Sequence, residues 1–175
     1  MNEFTAKVKI TPKILVFIKK YSAKSELLTP LLESYWKPKG VGLKNFPPGK
    51  KVIRLRALME RPEKAVVDEL NTFLKGGSYT HDKVRLFKGS FEESELFLEK
   101  EGYEKWSEIK LGSIKHKLKL LGDLVVDALE EEINGKKTVV KFEAEKESDI
   151  DRVKKLLNLT SHELILKNRA ELLAE

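Results

Sequence analysis

The sequence predicts an α+β protein dominated by antiparallel strands, and three observations carry that prediction. Runs such as KVIRLRAL (residues 51–58) alternate apolar and polar side chains, the two-residue period of a half-buried strand. Short turn sequences, Asn134-Gly135 among them, separate neighbouring runs as they do in hairpins. Ser or Thr followed by an apolar helical repeat recurs near the front, the middle and the end of the chain.

In chain order, EFTAKVKI alternates and reads as a strand. Thr11-Pro12 then starts a short helix over KILVFIKKYS, with Thr11 as N-cap and proline in the first turn, where its missing N–H costs nothing. TPLLESYWKP leads into KGVGLKNFPPGKK, a Gly-, Pro- and Lys-rich loop or hairpin connection. KVIRLRAL is the second clear strand, and EKAVVDELNTFLKGG suits either strand or helix. DKVRLFKG is a strand. It is followed by a helix over SFEESELFLEKEG, where Ser90 and Glu93 have capping-box spacing. YEKWSEIKL, SIKHKLKL, DLVVDAL and KTVVKFEAE are four further strand-like runs. Two helices end the chain, with Ser148 capping DIDRVKKLLNL and Ser161 capping HELILKNRAELLAE.

Composition sets limits on function. At 175 residues the chain is the size of a single domain, here 1–175, and 41% hydrophobic residues suffice for a core. No internal repeat, low-complexity tract or signal-peptide pattern is present, and no apolar run approaches the ~20 residues of a membrane helix. The chain lacks cysteine, which excludes disulfides and thiolate metal sites and fits a reducing cytoplasm. The three histidines, His81, His116 and His162, are far apart, which argues against zinc; a hard cation on oxygen ligands is the metal this composition suits. Residues 1 to 60 carry eleven Lys and two Arg against four Glu, a surplus of +9 within a net +6. That surplus suits an anionic partner, nucleic acid or polyphosphate, and equally the solvated Lys/Glu surface of a heat-stable protein.

Charge also falls on single strand faces. Glu3, Thr5 and Lys7 share one face; so do Arg54 and Arg56; so do Lys115, Lys117 and Lys119; so do Glu143 and Glu145. Lys88 shares a face with Leu86, and a register slip of one would present Arg85 instead. One such strand is ordinary, but five suggest a closed barrel with a polar lumen. Acids there would hold a divalent cation, and bases would neutralise a polyanion. GLKNFPPGKK fails as a P-loop on spacing, on the missing Ser or Thr after Lys50, and on Pro47-Pro48. No nucleophile elbow supports an acyl-transfer triad. Asp127 reads either as an edge charge or as a site acid, and His116 as outward or locally paired.

The order of these motifs resembles the CYTH superfamily, the triphosphate tunnel metalloenzymes. EFTAK (Glu3 to Lys7) stands where the family has E-x-E-x-K. SYW, RLR (Arg54 to Arg56), FKG, KHK (Lys115 to Lys117), VVDAL around Asp127, and FEAE before the terminal helices follow in family order over nearly the whole chain. The resemblance implies an eight-stranded antiparallel β-tunnel with flanking and C-terminal helices. It implies Mg²⁺ or Mn²⁺ on Glu3, Glu143 and Glu145, phosphates on Lys7, Arg54, Arg56, Lys88, Lys115 and Lys117, and Asp127 beside the metal or orienting a base. Catalysis would then rest on Glu143, Glu145 and Asp127. Implied activities are hydrolysis of inorganic triphosphate, thiamine triphosphate or nucleoside or RNA 5′-triphosphates, and cyclisation of ATP to cyclic AMP. The partners would be a triphosphate small molecule or nucleotide, an RNA 5′ end and a second copy of the chain, with no membrane. The sequence departs from the pattern at Thr5, where the family has a second Glu, and at Lys117, a point charge where the family has an Arg fork. SYW also lacks the acid that often precedes the aromatic. The missing acid favours, as an alternative, a module that binds a triphosphate or RNA end without turning it over.

Overall fold

The computed structural model describes residues 3–47, 51–75 and 78–175, leaving the side chains of 74, 75, 78 and 79 aside. Pro48 and Lys50 of the loop weighed as a P-loop, and Gly76-Gly77, lie outside the described residues. The elements in order are β1 (Phe4–Lys9), α1 (Pro12–Tyr21), β2 (Ser22–Leu27), β3 (Leu31–Pro38), β4 (Lys51–Leu58), β5 (Ala65–Lys75), β6 (Ser78–Gly89), α2 (Phe91–Lys100), β7 (Tyr103–Leu120), β8 (Leu124–Ile133), β9 (Lys136–Ala144), α3 (Glu147–Leu156) and α4 (Arg169–Leu173). The fold is α+β and its strands form one sheet in the order β2-β7-β3-β4-β5-β6-β1-β9-β8, with β8 also paired to β7. Leu27 lies opposite Ile114 and Leu31 opposite Leu111, so β2 and β3 follow each other along one edge of β7. The nine strands therefore fill eight positions in a hydrogen-bonded order that returns on itself.

Local signals account for many of the elements. Thr11 accepts a hydrogen bond from the Ile14 N–H ahead of Pro12, and Ser90 with Glu93 completes the capping box of α2. Asn134 and Gly135 both have positive φ, 50° and 84°, which suits the tight hairpin joining β8 to β9. Differences arise where tertiary pairing wins. EKAVVDELNTFLKGG supplies strand β5, and LLESYWKP is the buried strand β3 rather than a lead-in to a loop. YEKWSEIKL and SIKHKLKL run on as the single 18-residue strand β7. Ser148 is not a cap: α3 starts after Lys146, without a side-chain cap. Ser161 does not cap either. Leu164 bridges Val8 and the Ile165 N–H donates to the Lys7 carbonyl at 2.8 Å, so this stretch lies along β1, and α4 starts only at Asn168.

The chain divides into two compact units. The first comprises residues 1–28, 74–80 and 112–166. Its core joins Ala6 and Val8 of β1, Val140 and Phe142 of β9, Val126 and Ala128 of β8, and Leu118 and Leu120 of β7. Ile14, Phe17 and Ile18 of α1 and Ile150 and Val153 of α3 pack into it. The second comprises 29–73, 81–111 and 167–175. There Trp36 of β3, Ile53 and Leu55 of β4, Ala65 and Val67 of β5, and Leu98 of α2 form the core. In both units the apolar residues take one face of each strand, which leaves the alternate residues, many of them charged, on the other.

Candidate functional site

In the first unit, the polar face is set by register. Thr5 lies opposite Glu143, and Glu143 opposite Asp127, a row across β1, β9 and β8. One step along, Lys7 lies opposite Lys141. The core residues Ala6, Val140 and Phe142 alternate with these positions and anchor the polar side chains through the opposite face. Lys115 of β7 pairs with Asp127 Oδ2 at 3.2 Å. Lys141 Nζ lies 3.1 Å from both Glu131 Oε1 and Glu143 Oε1. Burial, then the nearby carboxylates of Glu143 and Asp127, push the Glu3 carboxyl above its ordinary value, against the pull of Lys141 and Lys115. Glu3, Asp127 and Glu143 thus form one electrostatic cluster, bordered by Lys115 and Lys141.

The donors here are carboxylate oxygens, which suit a hard divalent cation. Among the described residues, Asp127 Oδ1 is buried without a hydrogen-bond donor, so the set has an oxygen to offer. Among the same residues no three Asp, Glu or His side chains form a ready-made metal cage. Carboxylate oxygen is the donor type that suits Mg²⁺ or Mn²⁺.

Two other expected members are more exposed. Glu145 is exposed and follows the last residue of β9, and Lys117 is exposed opposite Lys24 of β2. His116 points to the other side of β7. Its Nε2 lies 2.8 Å from Glu130 Oε1 and its Nδ1 2.7 Å from Ser25 Oγ, the local pairing read from sequence.

The second unit holds a guanidinium cluster. Arg56 lies opposite Glu33 and Arg54 opposite Tyr35 and Asp68, all on the face away from Trp36, Ile53 and Leu55. Glu33 is fully buried. Its Oε1 accepts from Arg56 Nε at 2.6 Å, and its Oε2 from the Tyr35 hydroxyl at 2.8 Å and from Arg169 Nη1 at 2.9 Å. Burial alone would raise the Glu33 carboxyl. Arg169, Arg56 and Arg54 outweigh it and, with the Tyr35 hydroxyl, hold it far below the usual carboxylate range. Tyr35 is pushed up to about 12 by burial and by Glu33. Burial, then Arg56, brings Arg54 down to about 10, still cationic at neutral pH. Asp68 takes Arg85 Nε at 2.5 Å and lies 3.8 Å from Arg54 Nη2. Arg54, Arg56, Arg85 and Arg169 outnumber Glu33 and Asp68, so positive charge is in surplus.

Arg85 enters this cluster, and Lys88 does not: Lys88 is exposed, with no hydrogen bond or ion pair to these residues among those described. The strand register therefore presents the alternative base noted in the sequence. Sequence reasoning missed Glu33, Asp68, Lys141, Glu131 and Arg169. Lys141 was legible, since it alternates with Glu143, and so was Glu33, two residues before Tyr35. Arg169 reaches its partner across 136 residues of chain, which no local pattern reveals.

No protein-family model matches the sequence, and no curated protein matches it. Solved structures do. A conserved hypothetical protein from Pyrococcus furiosus aligns over 97% of this chain and 99% of its own at 17% identity and TM-score 0.62. An adenylate cyclase candidate from Vibrio parahaemolyticus aligns over 99% and 98% at 13% identity and TM-score 0.55. An adenylyl cyclase candidate from Hippeastrum, described by its dominant triphosphatase activity, aligns over 89% and 84% at 14% identity and TM-score 0.51. At such identities the likeness speaks to fold, and it covers nearly the whole chain. With the strand order, it shows that this chain shares the α+β fold of these proteins.

Proposed function

We propose that the protein is a metal-dependent hydrolase of a triphosphate compound, with its reaction centre on the polar face of β1, β9 and β8. The observation that supports this most is the gathering of Glu3, Asp127 and Glu143 with Lys115 and Lys141 at their sides. A triphosphate with its cation needs acids for the metal and ammonium groups for the remaining oxygens, and this face offers both. A divalent cation bound there would draw charge from the phosphate oxygens during attack on phosphorus. Lys115 and Lys7 donate to phosphate oxygens, and Asp127 or Glu143, as the carboxylate, orients the attacking water and accepts its proton. The guanidinium surplus around Arg54 and Arg56 is a second feature of the chain suited to an anion.

Inorganic triphosphate, thiamine triphosphate and nucleoside or RNA 5′-triphosphates are the substrate classes of this reading. The dominant triphosphatase activity of the Hippeastrum neighbour favours hydrolysis over cyclisation of ATP. A second reading, a module that binds a triphosphate without cleaving it, is favoured by Thr5, which faces Glu143 without adding a carboxylate.

Phosphate release from these compounds, with Mg²⁺, Mn²⁺ or EDTA, tests the proposal. Hydrolysis should require the metal and be lost in Glu143→Gln. If nothing is cleaved while inorganic triphosphate still raises the melting temperature, the binding module replaces the enzyme. Neither cleavage nor protection would remove both.

A further inference from the structure

We propose that Lys141 is a resident cation, whose ammonium takes the place of one divalent ion on the polar face of β1, β9 and β8. The inference rests on the reading of that face as a metal and phosphate site. Lys141 Nζ sits 3.1 Å from a carboxylate oxygen of Glu131 on β8 and equally far from one of Glu143 on its own strand. Glu131 is buried and Lys141 mostly so, with a side-chain exposure of 20%, so this ammonium is not a mobile surface charge. Its position bridges two acids that a divalent cation would otherwise bridge.

The charge balance agrees with this. Glu3, Asp127, Glu131 and Glu143 share the face with Lys7, Lys115 and Lys141, which leaves a small negative excess. Lys115 is more exposed, at 40%, and engages Asp127 through Oδ2 alone. Asp127 Oδ1 is left buried without a hydrogen-bond donor among the described residues. Glu131 Oε1 and Glu143 Oε1 thus have the Lys141 ammonium as their ion-pair partner, while Asp127 keeps Oδ1 for an ion. Thr5 reinforces the asymmetry, because the position facing Glu143 across β1 supplies no further carboxylate. The face is built for at most one divalent ion.

Mn²⁺ binding, counted by calorimetry and by the free-ion signal in electron paramagnetic resonance, tests the inference on wild type, Lys141→Met and Lys141→Arg. Removing the ammonium should let Lys141→Met bind one more Mn²⁺ per chain than wild type, or the same ion at least about tenfold more tightly. Its melting temperature should rise with Mn²⁺ more than that of wild type. Lys141→Arg keeps the charge and should keep the wild-type stoichiometry. Should Lys141→Met not fold, as judged by circular dichroism, Lys141→Gln replaces it. Wild-type Mn²⁺ binding in a folded, charge-deleted variant would overturn the inference and leave the hydrolase reading intact. A variant that gains an ion when wild type binds none would uphold the inference and remove the metal from the proposed reaction.

Discussion

Glu33 shows how one buried side chain organises its surroundings. It has no exposed surface, yet three guanidinium groups and a tyrosine hydroxyl surround it. Breaking such a pair by removing one partner leaves the other charges buried and uncompensated. Glu33→Ala should therefore lose ~3–5 kcal/mol in urea unfolding. The pH dependence follows from the depressed carboxyl. The unfolded chain takes up a proton near the ordinary value of 4.5, while the folded chain resists it. The stability from Glu33 is thus complete above that pH and is lost as the pH falls below it. Glu33→Gln, which has no such proton to bind, should show a flatter stability–pH curve there; an unchanged slope would deny Glu33 its role. Thr5 gives a prediction of the other kind. Thr5→Glu sets a carboxylate directly opposite Glu143, and like charges facing each other across strands are unfavourable. Without metal the variant should lose ~1 kcal/mol, and Mn²⁺ should restore more stability to it than to wild type.

Among the elements, those with complete local signals formed where the sequence put them. Thr11-Pro12 starts α1, Ser90 and Glu93 cap α2, and Asn134-Gly135 turns β8 into β9. The terminal region shows why others did not. HELILKNRAELLAE has a helical apolar repeat, but Leu164 and Ile165 take the main-chain partners that Val8 and Lys7 offer on β1, and the helix waits for Asn168. Asn168 accepts from the Glu171 N–H at 2.9 Å, and its amide lies 3.5 Å from the buried Thr72 hydroxyl. Asn168→Ala should therefore cost ~1 kcal/mol, the usual value of a lost N-cap, while Ser161→Ala should be nearly silent. Equal effects in thermal unfolding would contradict the observed helix start. The candidate site was legible to a similar degree. Alternation set Lys7, Asp127 and Glu143 on one face because β1, β9 and β8 are regular where they pair. Glu145 follows the last residue of β9, and Arg85 is the β6 base that meets Asp68 because strand register is a tertiary choice.

At the scale of the whole molecule, charge and ligand are coupled. The chain carries +6 overall, concentrated toward its front, and the acids of its polar strand faces are largely engaged by lysine and arginine. A polyanion that binds the folded chain should stabilise it by mass action, by ~2.7 kcal/mol at a hundred times its dissociation constant. Inorganic triphosphate should accordingly raise the melting temperature, and two perturbations distinguish how it is held. If ammonium and guanidinium groups alone hold it, added salt should reduce the shift, because exposed charges are screened within ~8–10 Å at physiological salt, and EDTA should leave it unchanged. If Glu3 and the acids of β8 and β9 take part through a divalent ion, EDTA should remove a large part of the shift at constant salt, and Glu143→Gln should imitate EDTA. Additivity settles whether both act at one place: EDTA should add little to the loss already present in Glu143→Gln, since two perturbations of one site do not sum. Full additivity would place the EDTA-sensitive ion away from Glu143 and move the proposed centre elsewhere in the chain.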